Sequence, residues 1–263
     1  MLFAAVIVLS WLMTTCGIFV FLTLSNTGQP AEYGRYGSAE KKKKKEKEKT
    51  SGWTVQSDVG WMLQESPAFF IPLFFYWTDE HQSAFGLFLT ALLLFHYTYR
   101  TFIYPFLVRS VSRTPLRIVA MGYVLCTWNG FIQSVWNAHF QPDYDEFYPQ
   151  FLIYIGVFLF FTGFVIHVIS DVRLISLRSY RNPSTYSIPN GLLFRWISCP
   201  NYFGECLEWI GFAVAARSFP AIAFAFFTVS RLAPRAFSHH KWYSERFGDE
   251  YPKERKALIP FVW

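Results

Sequence analysis

Several polar and ionisable side chains lie inside stretches of sequence that are otherwise apolar. One set comprises Gln64 and Glu65, in Trp61-Met-Leu-Gln-Glu-Ser-Pro, and Tyr97 with Arg100, in His96-Tyr-Thr-Tyr-Arg-Thr-Phe. A carboxyl group removed from water tends to keep its proton, so it and a phenol can both donate hydrogen bonds to a carbonyl oxygen and stabilise an enolate. We therefore predict that Gln64, Glu65 and Tyr97 form a catalytic set. The alternative is that Glu65 only forms a salt bridge with Arg100.

A second set of polar residues follows later in the chain, with repeated spacings of four that place side chains on one helix face. Guanidinium groups bind phosphates in forked geometry, and carboxylates accept from ribose hydroxyls or a carboxamide, so this mixture suits a nucleotide. Alternatively, Arg178 and Arg235 are anchors at the cytoplasmic surface, and His239 and His240 are a surface pair. The members are His167, Asp171, Arg178, Asn201, Glu205, Glu208, Arg235, His239 and Tyr243.

Other common chemistries lack their sequence motifs. The six histidines show no HExxH or Cys/His spacing, and Cys16, Cys126, Cys199 and Cys206 show no CxxC spacing, so no metal site is predicted. Neither GxGxxG nor GxxxxGK[ST] is present, so a nucleotide would not be held by a Rossmann or P-loop element.

The elements that position these residues must be membrane helices. The 263 residues are 52% hydrophobic and only 16% charged, which is too apolar for a typical soluble domain. A bilayer needs about 20 mostly apolar residues per helix. We predict an all-α, polytopic membrane protein with seven transmembrane helices, at Leu2–Leu24, Trp61–Trp77, Ser83–Val108, Leu116–Phe140, Gln150–Ile169, Tyr202–Ala216 and Phe219–Pro234.

Charge placement predicts the orientation of these helices. The first, third and fifth loops and the C-terminal tail are rich in Lys and Arg, whereas the alternate loops carry Asp79, Glu80, Asp143, Asp145 and Glu146. Because basic loops stay in the cytoplasm, the N-terminus is predicted outside and the C-terminus in the cytoplasm.

The whole chain, residues 1–263, is predicted to be a single membrane domain with a low-complexity cytoplasmic loop at about 38–52. The Lys41–Lys49 run in that loop alternates Lys with Glu near its end, which is typical of a solvated, flexible segment. Binding of anionic lipid headgroups is the alternative.

From about Tyr33 to Trp263 the chain resembles the steroid 5α-reductases (3-oxo-5α-steroid 4-dehydrogenases), most closely the type 1 and type 2 enzymes. The motifs that carry the resemblance occur in the same order. They are Trp61-x-Leu-Gln-Glu-x-Pro, His96-Tyr-x-x-Arg-Thr-Phe, Gly156-Val-Phe-Leu-Phe, Ser170-Asp171, Tyr186-x-Ile-Pro, Asn201-Tyr-Phe-Gly-Glu205-x-x-Glu-Trp-Ile-Gly, Pro220-Ala-x-Ala-Phe-Ala-Phe-Phe, Arg235-Ala-Phe-x-His-His and Arg255-Lys-Ala-Leu-Ile-Pro-Phe.

The resemblance implies seven transmembrane helices around a cavity that holds NADPH on the cytoplasmic side and a Δ4-3-oxosteroid deeper in. Gln64, Glu65 and Tyr97 would contact the substrate carbonyl, and Trp61 and Tyr33 would bind the steroid. His167 stands where the type 2 enzyme has an asparagine, and the loop that holds Arg109 and Arg113 needs an insertion to align. The residues implied for NADPH contacts or their support are His167, Asp171, Arg178, Tyr186, Asn201, Glu205, Arg235, His239 and Tyr243.

The resemblance implies reduction of the C4–C5 double bond of a 3-oxo-Δ4-steroid, with hydride transfer to C5 and enolate stabilisation by Glu65 and Tyr97. Alternatives are a reductase of the same fold acting on another enone or enoyl lipid, such as a polyprenol or an enoyl thioester, a membrane methyltransferase of the isoprenylcysteine kind, and a transporter or scaffold. The expected partners are the steroid and the lipid bilayer, without nucleic acid, and a monomer is compatible with the sequence. The expected location is the endoplasmic reticulum in a eukaryote or the inner membrane in a bacterium.

Overall fold

The computed structural model describes residues 1–27, 53–79, 83–108, 113–141, 150–177 and 186–262. It confirms a helix at each of the seven predicted runs. The helices are α1 (Leu2–Thr27), α2 (Ser57–Thr78), α3 (Ala84–Thr98), α4 (Tyr104–Val108), α5 (Leu116–His139), α6 (Gln150–Ser176), α7 (Pro200–Ala216) and α8 (Phe219–Phe247).

Short elements complete the described chain. Two three-residue strands, β1 (Thr54–Gln56) and β2 (Arg113–Pro115), pair antiparallel, with Val55 opposite Thr114. One π-helical turn, Tyr99–Ile103, joins α3 to α4, and 3₁₀ turns cover Leu192–Arg195 and Gly248–Glu250. The small ladder departs from the all-α prediction, because strands of three residues carry too little periodicity to be seen in a sequence.

The observed helix extends furthest beyond its predicted membrane span at α8. The apolar run ends at Pro234, yet the helix continues to Phe247. Ala233 and Ala236, on either side of this proline, are buried with Cys199 and Leu258, so tertiary packing continues the helix past the end of the apolar run. An apolar run marks the part of a helix that suits lipid, not the end of the helix.

Three of the helices, α1, α5 and α6, are long and apolar enough to cross a membrane by their length and composition. The chain is therefore a mostly helical, membrane-associated protein. In α1 the hydroxyls of Ser10 and Thr14 donate to the carbonyls of Val6 and Ser10 at 2.8 and 3.0 Å, so these polar groups are satisfied within the helix itself.

The chain forms two compact units. One lies within Met1–Gln29 and Asp145–Trp263 and includes α1, α6, α7 and α8; the other lies within Pro30–Tyr144 and includes α2 to α5. In the first unit α6 packs on α7 and α1 on α8; in the second, α2 packs on α5 and α3. The single-domain organisation stays a prediction.

Serine and proline residues fix the helix starts on which these packings depend. The Ser83 hydroxyl caps α3 by accepting from the Gly86 N–H at 2.9 Å. Ser218 caps α8 in the same way through the Ala221 N–H, with Pro220 in the first turn. Only Arg217 and Ser218 separate α7 from α8, and Arg217 takes the left-handed conformation that ends α7.

Candidate active site

The Glu65 carboxylate is buried on α2 and its two oxygens have different partners. Oε1 lies 3.7 Å from Arg100 Nη2 and accepts from Gln64 Nε2 at 3.5 Å. Oε2 accepts from the Cys126 thiol of α5 at 3.5 Å. The salt bridge with Arg100 that the sequence analysis left open is therefore present, but it engages one oxygen and is only one of three contacts.

Arg100 lies in the π-helical turn, where its guanidinium packs against two neighbouring aromatic rings. Its Cζ atom is 4.6 Å from the centroid of Trp61 and 5.0 Å from that of Tyr104. These distances are typical of cation–π contacts, which stabilise a cation removed from water. Pro105 follows directly and has no N–H to donate to the Thr101 carbonyl as an α-helix requires, which favours an irregular turn at this point.

Trp61 and Gln64 complete this part of α2. The Trp61 indole N–H is shielded from solvent and has no hydrogen-bond acceptor among the described residues. A buried donor of this kind is available for a ligand acceptor. Gln64 lies against Gly122 of α5, where an added Cβ would be 2.8 Å from Gln64 Oε1, so the glycine makes room for the amide.

Tyr97 of α3 is joined to α5 by a chain of two amides. The Asn129 Nδ2 group donates to the Tyr97 hydroxyl oxygen at 3.1 Å, and the Gln133 Nε2 group donates to Asn129 Oδ1 at 3.3 Å. All three side chains are buried.

Glu65 and Tyr97 converge on one face of α5. Glu65 contacts Cys126 and Tyr97 contacts Asn129, and these two α5 residues are three positions apart. Residues at this spacing have Cβ atoms about 5–6 Å apart on a helix surface. The packing of α2 and α3 with α5, which the sequence alone could not predict, brings Glu65 and Tyr97 to neighbouring positions along α5.

The second polar set gathers around His167 of α6. Its Nε2 atom lies 3.2 Å from Asp171 Oδ2 and 3.9 Å from Glu205 Oε2, and its Nδ1 atom lies 3.5 Å from Glu208 Oε2. Carboxylate oxygens therefore lie within 4 Å of both ring nitrogens of His167. The Asn201 amide also donates to Asp171 Oδ1 at 3.1 Å.

Four glycines bring α6 and α7 close enough for this cluster. A Cβ on Gly163 would lie 2.3 Å from the Glu208 backbone N, and one on Gly204 would lie 2.5 Å from the His167 N. Gly156 and Gly211 form an equivalent pair one heptad away, with a Cβ 2.4 Å from Ala215 N or Phe160 N. We call these four residues the glycine seam; only glycine lets the two backbones approach so closely.

The remaining predicted cofactor residues lie along α8 and the segments packed on it. His239 Nε2 is 3.1 Å from the Tyr202 hydroxyl, and Tyr186 packs against Trp242 with ring centroids 5.0 Å apart. Tyr243 stacks on Tyr251 with centroids 5.5 Å apart. Arg235 is half-buried on the same helix.

Ser198 joins the C-terminal segment to α8. Its Oγ atom is 2.6 Å from both His240 Nδ1 and the Tyr251 hydroxyl, and 3.1 Å from the Lys256 carbonyl oxygen. Burial lowers the pKa of His240, as do Lys256 and Arg255, and burial raises the pKa of Tyr251. A neutral His240 and a neutral Tyr251 can both donate to Ser198, which donates in turn to Lys256. This cluster therefore holds the tail in place.

The structure thus brings together Gln64, Glu65, Tyr97 and Trp61 in one unit, and His167, Asp171, Asn201 and Glu205 in the other. Two predicted site residues, Tyr33 and Arg178, lie outside the described residues, as do Arg109 and the Lys41–Lys49 run. Arg113 is described, and its guanidinium donates to Thr54 Oγ1 at 2.8 Å and to the Thr54 carbonyl at 2.9 Å, so it supports the β1–β2 ladder.

The predicted set missed several residues that the structure places in these clusters. Glu208 was noted for its spacing but left out of the cofactor set, although it follows Glu205 by three. Arg231 has its Nη2 atom 3.5 Å from Glu205 Oε1. It could have been predicted from the sequence, since it precedes Arg235 by one helical turn and so lies on the same helix face. Cys126 and Asn129 gave no signal beyond their polarity.

Comparison with known proteins shows the family to which the chain belongs. The model of the family 3-oxo-5-alpha-steroid 4-dehydrogenase matches residues 112–263. The chain is 40% identical to "Steroid 5-alpha-reductase DET2" of Arabidopsis thaliana over 229 residues, covering 82% of this chain and 86% of the relative. It is 41% identical to "3-oxo-5-alpha-steroid 4-dehydrogenase 1" of Homo sapiens over 214 residues, covering 80% and 81%. The bovine protein of the same name is 35% identical over 261 residues, covering 97% and 95%. The chain therefore belongs to the 3-oxo-5-alpha-steroid 4-dehydrogenase family of oxidoreductases.

Proposed function

We propose that this protein reduces the C4–C5 double bond of 3-oxo-Δ4-steroids to 5α-dihydro-3-oxosteroids with NADPH. The convergence of Glu65 and Tyr97 on one face of α5 carries the proposal, together with family membership. Reduction of an enone places negative charge on the 3-oxo oxygen. Two donors aimed at that oxygen from a site shielded from water stabilise the transition state more than the ground state.

The two oxygens of Glu65 have different hydrogen-bond partners, which favours different roles for them in the reaction. Oε1 faces Arg100 and Gln64, which are both donors, so this oxygen acts as an acceptor. Among the described residues, Oε2 accepts from the Cys126 thiol, a weak donor, and is the oxygen from which Glu65 would donate to the substrate carbonyl. With Tyr97 as second donor and the Trp61 indole N–H nearby on α2, the unit offers hydrogen-bond donors to an oxygenated, mostly apolar ligand.

The residues around His167 fit the polar parts of a dinucleotide. Asp171 and Glu205 are buried acceptors suited to ribose hydroxyls or a carboxamide, and Asn201 holds Asp171 in place. Arg231 and Arg235, one turn apart on α8, supply guanidinium groups of the type that binds phosphate. Bound NADPH would supply the hydride that C5 of the enone accepts, and the resulting enolate would take a proton, ultimately from water, at C4. Tyr186, His239 and Tyr243 would support the same cofactor from α8 and its neighbours.

We further propose that the chain is an integral, multi-pass membrane protein with seven transmembrane helices, its N-terminus outside and its C-terminus in the cytoplasm. Helices at all seven apolar runs and the alternation of basic and acidic loops support this topology. Such an orientation presents the C-terminal residues to cytoplasmic NADPH, in the endoplasmic reticulum of a eukaryote or the inner membrane of a bacterium.

The test is a turnover assay with the purified full-length protein in detergent. Testosterone or progesterone is added with NADPH, nicotinamide absorbance is followed, and the steroid is identified by mass spectrometry against stereochemical standards. A 5α-dihydro product supports the proposal. Binding of NADPH without reduction of any Δ4-3-oxosteroid would overturn the substrate and point to another enone or enoyl lipid. Absence of NADPH binding would overturn the assignment of NADPH as the cofactor, and binding of S-adenosylmethionine would then be measured.

A further inference from the structure

The hydrogen bonds that link Gln133, Asn129 and Tyr97 all run in one direction, from donor to acceptor toward the phenol. The Asn129 amide uses its NH₂ group toward Tyr97 and its oxygen toward Gln133, at 3.1 and 3.3 Å. Asn129 is 1% exposed and Gln133 is fully buried, so exchange of these bonds with water is suppressed. The hydrogen bond from Gln133 thereby favours the orientation in which the NH₂ group of Asn129 faces the phenol.

This direction decides what the phenol can do. A hydroxyl has a single proton and two lone pairs. When Asn129 donates to its oxygen, the Tyr97 proton is directed elsewhere than Asn129. If the amides were reversed, Asn129 Oδ1 would accept that proton, and the phenol would no longer donate to a substrate. Donation into the phenol oxygen also polarises its O–H, which strengthens the hydrogen bond that the hydroxyl donates.

We propose that Asn129 is a positioning residue for the reduction, which sets Tyr97 as a donor to the 3-oxo oxygen, and that Gln133 holds Asn129 in the required orientation. This inference rests on the proposed function, because it needs a substrate carbonyl that accepts from Tyr97. Asn129 itself acts through Tyr97 and does not need to contact the steroid.

The structure supplies a matched control for a purely structural role. The Asn137 amide of α5 donates to the Thr90 hydroxyl of α3 at 3.4 Å, and both side chains are 1% exposed. This bond joins the same two helices by the same chemistry, about two turns further along α5. Loss of either bond weakens the α3–α5 contact, but only Asn129 reaches the phenol.

The experiment measures kcat and KM for testosterone, and the Kd of NADPH, in the purified full-length protein. The variants are Asn129→Leu, Asn137→Leu, Gln133→Leu, Tyr97→Phe and the double variant Tyr97→Phe/Asn129→Leu. Leucine keeps the approximate shape of asparagine without its hydrogen bonds. Thermal unfolding of each variant in detergent reports its stability.

We expect Asn129→Leu to lower kcat by roughly 10- to 100-fold, less than the roughly 10²–10³-fold typical of losing a donor itself. The KM for testosterone and the Kd of NADPH should change less than threefold. Gln133→Leu should lower kcat in the same direction, and Asn137→Leu should retain kcat within threefold. In the Tyr97→Phe background, Asn129→Leu should have no further effect on kcat, because Asn129 acts through the Tyr97 hydroxyl and phenylalanine lacks that hydroxyl.

Two results would overturn the inference while leaving the proposed function intact: equal kcat values for Asn129→Leu and Asn137→Leu, or a full additional loss from Asn129→Leu in the Tyr97→Phe background. If Asn129→Leu does not fold, Gln133→Leu with an unchanged kcat would equally overturn it. Failure of the unsubstituted protein to reduce testosterone would instead overturn the proposed function.

Discussion

Replacing Gly163 by alanine should separate α6 from α7 and open the polar cluster around His167. The added Cβ would lie 2.3 Å from the Glu208 backbone N, whereas a methyl carbon makes ordinary contact at about 3.5 Å. The helices must therefore separate by about 1 Å at this point. The contact of His167 Nδ1 with Glu208 Oε2, now 3.5 Å, would then exceed hydrogen-bonding range.

The energetic balance gives the sign of the effect. Alanine in place of glycine favours a helix by about 1 kcal/mol, but forcing a methyl group into a packed interface costs about 1–3 kcal/mol. We expect Gly163→Ala to lower stability by about 1 kcal/mol and to weaken NADPH binding, because Glu205 then moves away from His167 and the Asn201 amide moves away from Asp171.

The assay is a fluorescence titration of NADPH with thermal unfolding in the same detergent. Gly17→Ala is the matched control: its Cβ would lie 3.3 Å from both Phe226 Cδ1 and the backbone Phe227 Cα, so a shift of a few tenths of an ångström accommodates it. This control should bind NADPH normally and unfold at an unchanged or higher temperature. If Gly163→Ala behaves like Gly17→Ala in both measurements, the glycine seam does not set the geometry of the cluster.

Three further predictions concern the substrate end, the cofactor and the C-terminal segment. Glu65→Gln should lower kcat by roughly 10²–10³-fold while NADPH still binds; near-normal turnover in steady-state assays would remove Glu65 from the mechanism. Because Arg231 and Arg235 can hold a 2′-phosphate, kcat/KM should be higher with NADPH than with NADH, and equal values would contradict that role. His240 lies beyond the apolar run that ends at Pro234, and its pKa is lowered by burial, Lys256 and Arg255. The unfolded chain therefore binds the proton more tightly. The stability that neutral His240 contributes is present above about pH 6.5, the ordinary value, and is lost as the pH falls through the lower folded-state pKa. Unfolding temperatures measured between pH 7.5 and 5.5 should fall for the unsubstituted protein and fall less for His240→Asn; parallel curves would refute this assignment.

Much of the architecture could be predicted because lipid imposes a simple rule. Runs of about 20 apolar residues are expected to be helical in a membrane protein, and the described chain is helical in each of the seven runs. The same rule identified Glu65, Tyr97, His167 and Asp171, since a polar group in such a run is costly without a partner. Local spacing then predicted the contact of His167 with Asp171, which lie four residues apart on α6.

Contacts between helices could not be predicted in this way. The approach of Glu65 and Tyr97 depends on how α2 and α3 pack on α5, and no local spacing encodes that packing. Arg231 was overlooked because a cation near the end of an apolar run resembles an ordinary surface anchor. The glycine seam was visible as two pairs of glycines seven residues apart, Gly156 with Gly163 and Gly204 with Gly211, but their partnership emerges only when the two helices are placed together.

The π-helical turn at Tyr99–Ile103 changes the direction in which the side chains after it project from the helix axis. In this turn the Tyr104 N–H donates to the Tyr99 carbonyl, five residues back, so one residue more than in an α-helix is accommodated. Each residue of an α-helix advances about 100° around the axis. The extra residue therefore rotates everything after it by that angle relative to Tyr97. Deleting a residue in this turn would change the rotational position of the residues after it relative to Tyr97. The turn sets the rotational position of the following residues about the helix axis, so the length of this segment is as constrained as its composition.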